Sequence, residues 1–329
     1  MQIDEGYITS GDGVRLFFRQ VGSGGKPVVI PNGFHLAGDF ERLSDGRTMI
    51  VYDLRNRGWS DQVSDPSKLT GGIHNDVDDL EAVRRHFGIS RVDLIGHSYL
   101  GLMVILYTLK YPECVNRVVQ IGPMQPRAGK QYPAHLMCAD STLTEVSSKL
   151  GELQKQRESM DPVEFCKKFW DILRVIYVSN PADLGRINWG RCELANERNF
   201  MKYWGESVFP SIRELKFEEV SKTQAVVLTI HGMKDRSAPY GGGREWAMML
   251  PNARLVSVEN AGHAPWVEAE ELVFGAIEQF LGGGGRRGLR KWFRWICEET
   301  DSLAVAARLL RGGARRIFRH CVELAVAHV

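Results

Sequence analysis

The stretch from residue 92 to residue 110 constrains this chain more than any other. Val92-Asp93-Leu94-Ile95 is short and apolar, as a buried strand is, and it runs through Gly96-His97-Ser98 directly into an apolar stretch of helical length, residues 99–110. A strand that passes at once into a helix belongs to a sheet covered on both faces, because the helix must pack back over the strand it has just left. The same alternation recurs on either side. Pro27–Pro31 and Thr48–Tyr52 are short apolar runs ending at Asn32-Gly33 and at Asp53. Between residues 75 and 87, Val77, Leu80, Val83 and Phe87 stand at helical spacing, and Gly88 follows as a stop signal. Further strands are expected at 118–121, 225–230 and 254–258, with a helix over 268–281. Residues 5–20 alternate polar and apolar types around Asp12-Gly13, the pattern of a β-hairpin. The expected fold is α/β, a mostly parallel central sheet flanked by helices.

Residues 125–220 break the alternation. They are helix-rich, contain Trp170, Trp189 and Trp204, and show no clear buried strand, so they read as an insertion folding over the carboxyl edge of the sheet. The core is then 1–124 and 221–281. The net charge of +2 is unevenly spread: from Gly282 onward there are ten Lys/Arg against four Asp/Glu, so the rest of the chain is slightly acidic. The break falls at the linker-like run Gly282-Gly283-Gly284-Gly285. The basic extension 282–329 reads either as a membrane-surface segment, as a partner-binding helix pair, or as a stretch with no ordered role. An acidic core disfavours nucleic acid as a partner. Met1-Gln2-Ile3-Asp4-Glu5 lacks the basic-then-apolar order of a secretory signal, and six cysteines are scattered without a C-x-x-C pair. Reduced thiols in a cytoplasmic protein are therefore expected, with Cys138, Cys166 and Cys192 as small buried apolar residues. His35, His74 and His86 have no ligand-like spacing, so neither metal nor cofactor is expected.

The chemistry comes from three positions. A serine hydroxyl becomes a nucleophile only when a neighbouring base takes its proton, and a sharp strand-to-helix turn exposes the hydroxyl for this purpose. Ser98 stands at such a turn; as a bare triplet, Gly-x-Ser could equally be a helix N-cap. Asp235, in Gly232-Met233-Lys234-Asp235, follows a buried strand. His263, in Ala261-Gly262-His263-Ala264-Pro265-Trp266, follows the last strand. Loops at the carboxyl ends of parallel strands converge on one side of a sheet, so Ser98, Asp235 and His263 can meet. Their order along the chain, Ser, Asp, His, makes coincidence a poor explanation.

With these residues in place, residues 1–281 resemble an α/β-hydrolase-fold enzyme with a helical cap at 125–220. The resemblance implies Ser98 as nucleophile, Asp235 as acid and His263 as base. It also implies an oxyanion hole from two backbone N–H groups, those of Tyr99 and of Phe34 in Asn32-Gly33-Phe34. Asp53-Leu54-Arg55-Asn56-Arg57-Gly58-Trp59-Ser60 is similar to the family's D-x-R-x-x-G-x-S loop, a structural marker. Two positions depart from the pattern: Leu100 stands where a small residue is usual, and Asn32 where histidine is. Trp266 and Phe34 are expected to line the acyl pocket.

The implied activity is cleavage of carboxylic esters by a serine esterase, on a small-molecule substrate. Two alternatives stay open. Glu193 and Glu197 lie four apart on one face of a probable helix, and proline-iminopeptidase-like members use such carboxylates to hold a free amino group; a plain solvated acidic face is the competing reading. Other members keep the triad and act as small-molecule receptors.

Overall fold

The computed structural model describes residues 2–282 except 139, 188, 190, 191, 193–195 and 218, with residue 197 described by its backbone alone. The basic extension beyond residue 282, including Cys297, Cys321 and every expectation attached to that stretch, lies outside the described residues.

The chain opens with an antiparallel hairpin, β1 (Ile3–Thr9) and β2 (Arg15–Val21), with Thr9 opposite Arg15 and Ile3 opposite Val21. β3 (Pro27–Pro31) leads into α1 (Gly33–Phe40), and β4 (Thr48–Tyr52) into a long loop before α2 (Ile73–His86). β5 (Val92–His97) leads into α3 (Tyr99–Lys110) and then β6 (Val115–Ile121). A helical segment follows, with α4 (Ser141–Lys155), α5 (Pro162–Leu173), α6 (Glu197–Tyr203) and α7 (Phe209–Arg213). β7 (Val226–Gly232), α8 (Tyr240–Met249) and β8 (Ala253–Val258) resume the alternation. α9 (Pro265–Glu268) and α10 (Glu270–Leu281) close it.

The strands form one eight-stranded sheet in the order β1-β2-β4-β3-β5-β6-β7-β8. β2 runs antiparallel to both neighbours, and every pair from β4 to β8 is parallel. The apolar runs are explained by burial on both faces. Along β4, Ile50 and Tyr52 join one apolar cluster with Leu80, Leu102 and Trp246, while Met49 and Val51 join the other with Phe40, Trp266 and Phe274. The alternating side chains of a strand thus feed a core on each side. The helical segment starts its helices conventionally: the Asp140 carboxylate accepts from Thr142 N, and Asp161 accepts from Val163 N and Glu164 N with Pro162 in the first turn.

Four features differ from the sequence expectation. α1 begins where a turn was expected, because Asn32 in the left-handed region (φ 73°, ψ 47°) reverses the chain and starts the helix at once. α8 carries Gly241-Gly242-Gly243, which hides its periodicity. The helix expected over 268–281 begins at Glu270 as α10, and a separate short helix, α9, ends before it at Ala269 (φ −138°, ψ 55°). The expectation of reduced thiols fails at one pair: Cys166 and Cys192 are joined by a disulfide, with Cα atoms 5.6 Å apart, while Cys114 and Cys138 are free. Nothing in their sequence spacing marks the two as neighbours; α5 and the chain before α6 bring them together. Among the described residues no helix is long and apolar enough to cross a membrane.

A buried ion pair locks the loop after β4. Arg55 donates to Asp79 of α2 from Nε (2.8 Å) and Nη2 (2.6 Å), and from Nη1 to Asp12 in the first hairpin (2.8 Å). Arg55 and Asp79 are both about 1% exposed. Breaking such a pair strands a charge in the interior, so Arg55→Met is expected to cost about 3–5 kcal/mol, read as a lower urea midpoint, and Arg55→Met/Asp79→Leu to recover most of it. Non-reducing peptide mapping is expected to recover Cys166 and Cys192 in one cross-linked peptide pair. Reduction is then expected to lower stability by roughly 3 kcal/mol, the scale for a loop of 26 residues.

Candidate active site

The turn after β5 is the most strained point of the site. Ser98 has φ 60° and ψ −129°, outside the regions open to an ordinary side chain. The surroundings hold it there: Ser98 N donates to Ile121 O of β6 (3.0 Å), and Ser98 O accepts from Gly101 N (2.9 Å) and Met124 N (3.0 Å). Gly96 lets the two arms of the turn close, since a Cβ at that position would lie 2.3 Å from Leu100 O. Leu100, in the place where a small residue is usual, is buried in the core behind the turn and reaches the wall of the cavity in front of it.

Asp235 and His263, the expected acid and base, are brought together. His263 Nδ1 meets Asp235 Oδ2 at 2.7 Å, and both side chains are fully buried. Asp235 Oδ1 accepts from Ser237 N and Ala238 N, each at 2.8 Å. Burial by itself would raise the Asp235 pKa; the charge of His263 and the bonds from His231 and His263 outweigh it and hold the carboxyl below its ordinary range. His263 Nε2, the atom that would act as base, is buried with no hydrogen-bond partner, so the Ser98 hydroxyl is not bonded to it in this structure. Such a contact commonly tightens only once substrate is bound.

Sequence reasoning missed three groups that set this geometry. His231 on β7 places Nε2 3.1 Å from Asp235 Oδ2 and 3.0 Å from Ala238 O; a carbonyl can only accept, so Nε2 carries the proton. Glu268 of α9 accepts from Gly262 N (2.6 Å), Ser179 N (2.7 Å) and Asn180 N (2.9 Å), tying the loop of His263 to the helical segment. Asp39 Oδ2 accepts from the indoles of Trp189 and Trp266, both at 2.9 Å. His97, beside the nucleophile, donates from Nε2 to His263 O (3.0 Å). Burial, with His263 alongside, pushes the His97 pKa well down, so it supports the base as a neutral ring.

Ser98 opens onto a cavity of about 300 Å³. Its wall combines residues from the ends of β3 and β5 with Leu150, Trp170, Phe200 and Trp204 of the helical segment. Arg57, from the loop resembling D-x-R-x-x-G-x-S, lines it too, with its guanidinium 4.0 Å above the Phe200 ring.

Two expected site residues are placed differently. Phe34 N–H, expected as an oxyanion donor, donates instead to Asp53 Oδ1, whose other oxygen takes Trp59 N at 2.9 Å. Burial lifts the Asp53 pKa to about 6 even against these bonds. The loop after β3 turns into α1 so early that this N–H points at the end of β4, and the Phe34 ring does not line the cavity. Trp266 does not line it either: its ring packs 4.8 Å from His97 and 5.5 Å from Trp189 while its N–H goes to Asp39. Glu193 and the side chain of Glu197 lie outside the described residues. Tyr99 N–H remains at the first position of α3, beside Ser98.

This chain order, with a strained serine after β5, a carboxylate after β7 and a histidine after β8, agrees with a match over residues 26–269 to the family model described as alpha/beta hydrolase fold. The chain belongs to the α/β-hydrolase fold family. Among its relatives, a bifunctional esterase/perhydrolase of Acinetobacter calcoaceticus is 28% identical over 280 residues, covering 81% of this chain and 96% of the relative. A proline iminopeptidase of Clostridium botulinum is 23% identical over 308 residues, covering 85% and 99%. Among solved structures of the fold, an esterase from Exiguobacterium antarcticum superposes with a TM-score of 0.64 at 20% identity, covering 84% of this α/β hydrolase and 98% of the esterase.

The low Asp235 pKa has a consequence for stability. A carboxyl lowered in the folded state contributes stability that is present above its unfolded pKa near 3.9 and is lost as pH falls through the folded value. The deficit of Asp235→Asn against the parent, measured by urea denaturation, is therefore expected to be greatest near pH 7 and to shrink below about pH 4.

Proposed function

We propose that this α/β hydrolase is a serine esterase that cleaves carboxylic esters through an acyl-enzyme. One observation carries the proposal: the serine held at φ 60° opens onto a largely aromatic cavity on the same sheet edge as a buried His–Asp pair. Backbone strain of this size persists only where the surroundings enforce it, and it clusters at functional sites.

In the proposed reaction Ser98 Oγ attacks the ester carbon as its proton passes to His263 Nε2. Asp235 keeps the imidazole in the Nδ1–H tautomer and stabilises its charged form. The carbonyl oxygen takes the electron pair and accepts from Tyr99 N–H, a contact worth roughly 3 kcal/mol when well aligned. Collapse expels the alcohol, which takes the proton back from His263, and water repeats the sequence to release the acid. The helical segment 125–220 acts as a cap over the core formed by 1–124 and 221–281, and supplies the apolar wall that receives the acyl group.

The similarity to a proline iminopeptidase raises an aminopeptidase as second reading. The Arg57 guanidinium on the described cavity wall favours the esterase, since a cation there opposes a substrate's ammonium group. A labelled fluorophosphonate is expected to modify the wild type at Ser98 and to leave Ser98→Ala unmarked. p-Nitrophenyl esters should be hydrolysed at least 100-fold faster than proline arylamides, and Ser98→Ala should lose that turnover while keeping its melting temperature. Faster arylamide cleavage would support the aminopeptidase, and a thermal shift with a small ligand but little turnover would support a receptor. Unchanged hydrolysis by Ser98→Ala would rule this serine out.

A further inference from the structure

The loop after β3 leaves the developing oxyanion one donor short, because Phe34 N–H is bonded to Asp53. A neighbouring group is placed to replace it. Asn32 lines the cavity together with Ser98 and is 8% exposed. β3 and β5 are parallel neighbours with Val28 opposite Asp93 and Val29 opposite Leu94. Carried forward, that register sets Asn32 level with His97, immediately before the nucleophile, on a strand about 5 Å away. The Asn32 backbone is left-handed (φ 73°, ψ 47°), and its side chain makes no capping bond to α1 although it stands at the N-cap position. Its Oδ1 is buried without a hydrogen-bond partner. A buried carboxamide that neither caps its helix nor satisfies its own oxygen is costly unless the site uses it. The oxygen and nitrogen of an amide exchange places by a half-turn, so Nδ2 can present a hydrogen to the cavity from the same position.

We propose that the Asn32 side-chain amide is the second oxyanion donor of this enzyme, standing in for the backbone N–H of residue 34. The inference rests on the serine-esterase reading above. As the Ser98 Oγ–carbon bond forms, the carbonyl π pair moves onto oxygen and the serine proton moves to His263 Nε2. The resulting oxyanion accepts one hydrogen bond from Tyr99 N–H and one from Asn32 Nδ2. Collapse returns the pair to carbon, breaks the bond to the leaving alcohol and sends the proton from His263 to that alcohol. The donor acts on charge that exists only in the tetrahedral state, so its loss should appear in kcat and leave KM nearly unchanged.

Two substitutions separate this role from a conformational one. Asn32→Gly removes the amide and tolerates the left-handed backbone better than asparagine does; Asn32→Asp keeps shape and size but replaces the donor with an acceptor. The substrate is a p-nitrophenyl ester of the wild type's preferred chain length, and the probe is a trifluoromethyl ketone, which forms a tetrahedral oxyanion on the serine. Both variants are expected to lower kcat by roughly 100-fold to 1,000-fold with KM within about twofold, and to weaken the ketone by a similar factor. If Asn32 serves only to reverse the chain, Asn32→Gly should keep kcat within about threefold. That result, or a loss of kcat with ketone affinity intact, overturns the proposal. Should Asn32→Asp fail to fold, Asn32→Gly decides the question alone. A wild type that no fluorophosphonate marks at Ser98 would instead remove the serine-esterase reading itself.

Discussion

A carboxylate in a protein interior stays ionised only when its lone pairs are taken up, and the arrangement around Asp235 is built on that requirement. Four donors reach it: the N–H groups of Ser237 and Ala238 on one oxygen, and His263 and His231 on the other. They arise from the turn after β7, from β7 itself and from the loop after β8. One side chain therefore fixes three backbone paths together. His231 adds a hydrogen bond to the same oxygen that meets His263. His97 plays the complementary part on the other side of the base by holding its carbonyl oxygen.

Much of this fold was legible before any coordinates. Parallel strands covered on both faces must be apolar throughout, and that made β3 to β8 readable as short runs. The three candidate residues stood out because each follows such a run, and carboxyl ends gather at one edge. What escaped were elements whose signals are local exceptions. α1 starts on a left-handed asparagine that reads as a turn, and α8 on a triplet of glycines. Asp39 and Glu268 escaped for another reason: their partners are distant in sequence, as with Asp39 and the indole 227 residues away or Glu268 and the N–H of Ser179, 89 residues away. The Cys166–Cys192 bond belongs with them. Trp266 shows the limit of placement by position, since its neighbour His263 is at the site while the indole itself faces inward.

In the loop after β3 a backbone donor is taken up by a structural carboxylate. Asp53 closes the loop resembling D-x-R-x-x-G-x-S by collecting Phe34 N–H and Trp59 N–H, and Ser60 Oγ donates to its carbonyl at 2.7 Å. The same loop is pinned to α2 and to the first hairpin through Arg55. An N–H drawn into that scaffold is unavailable for chemistry.

Glu268 links parts that are otherwise far apart in the chain. Its two oxygens take N–H groups from the loop bearing the base and from residues 179 and 180 of the helical segment, and Ala264 N adds a bond to Tyr177 O. The helical segment and the loop of His263 are thereby tied to one another. Of the three N–H groups on this carboxylate, two come from the helical segment, and the bond from Ala264 N reaches the same segment from the residue after His263. The backbone that carries His263 is therefore held by the helical segment as well as by the edge of the sheet.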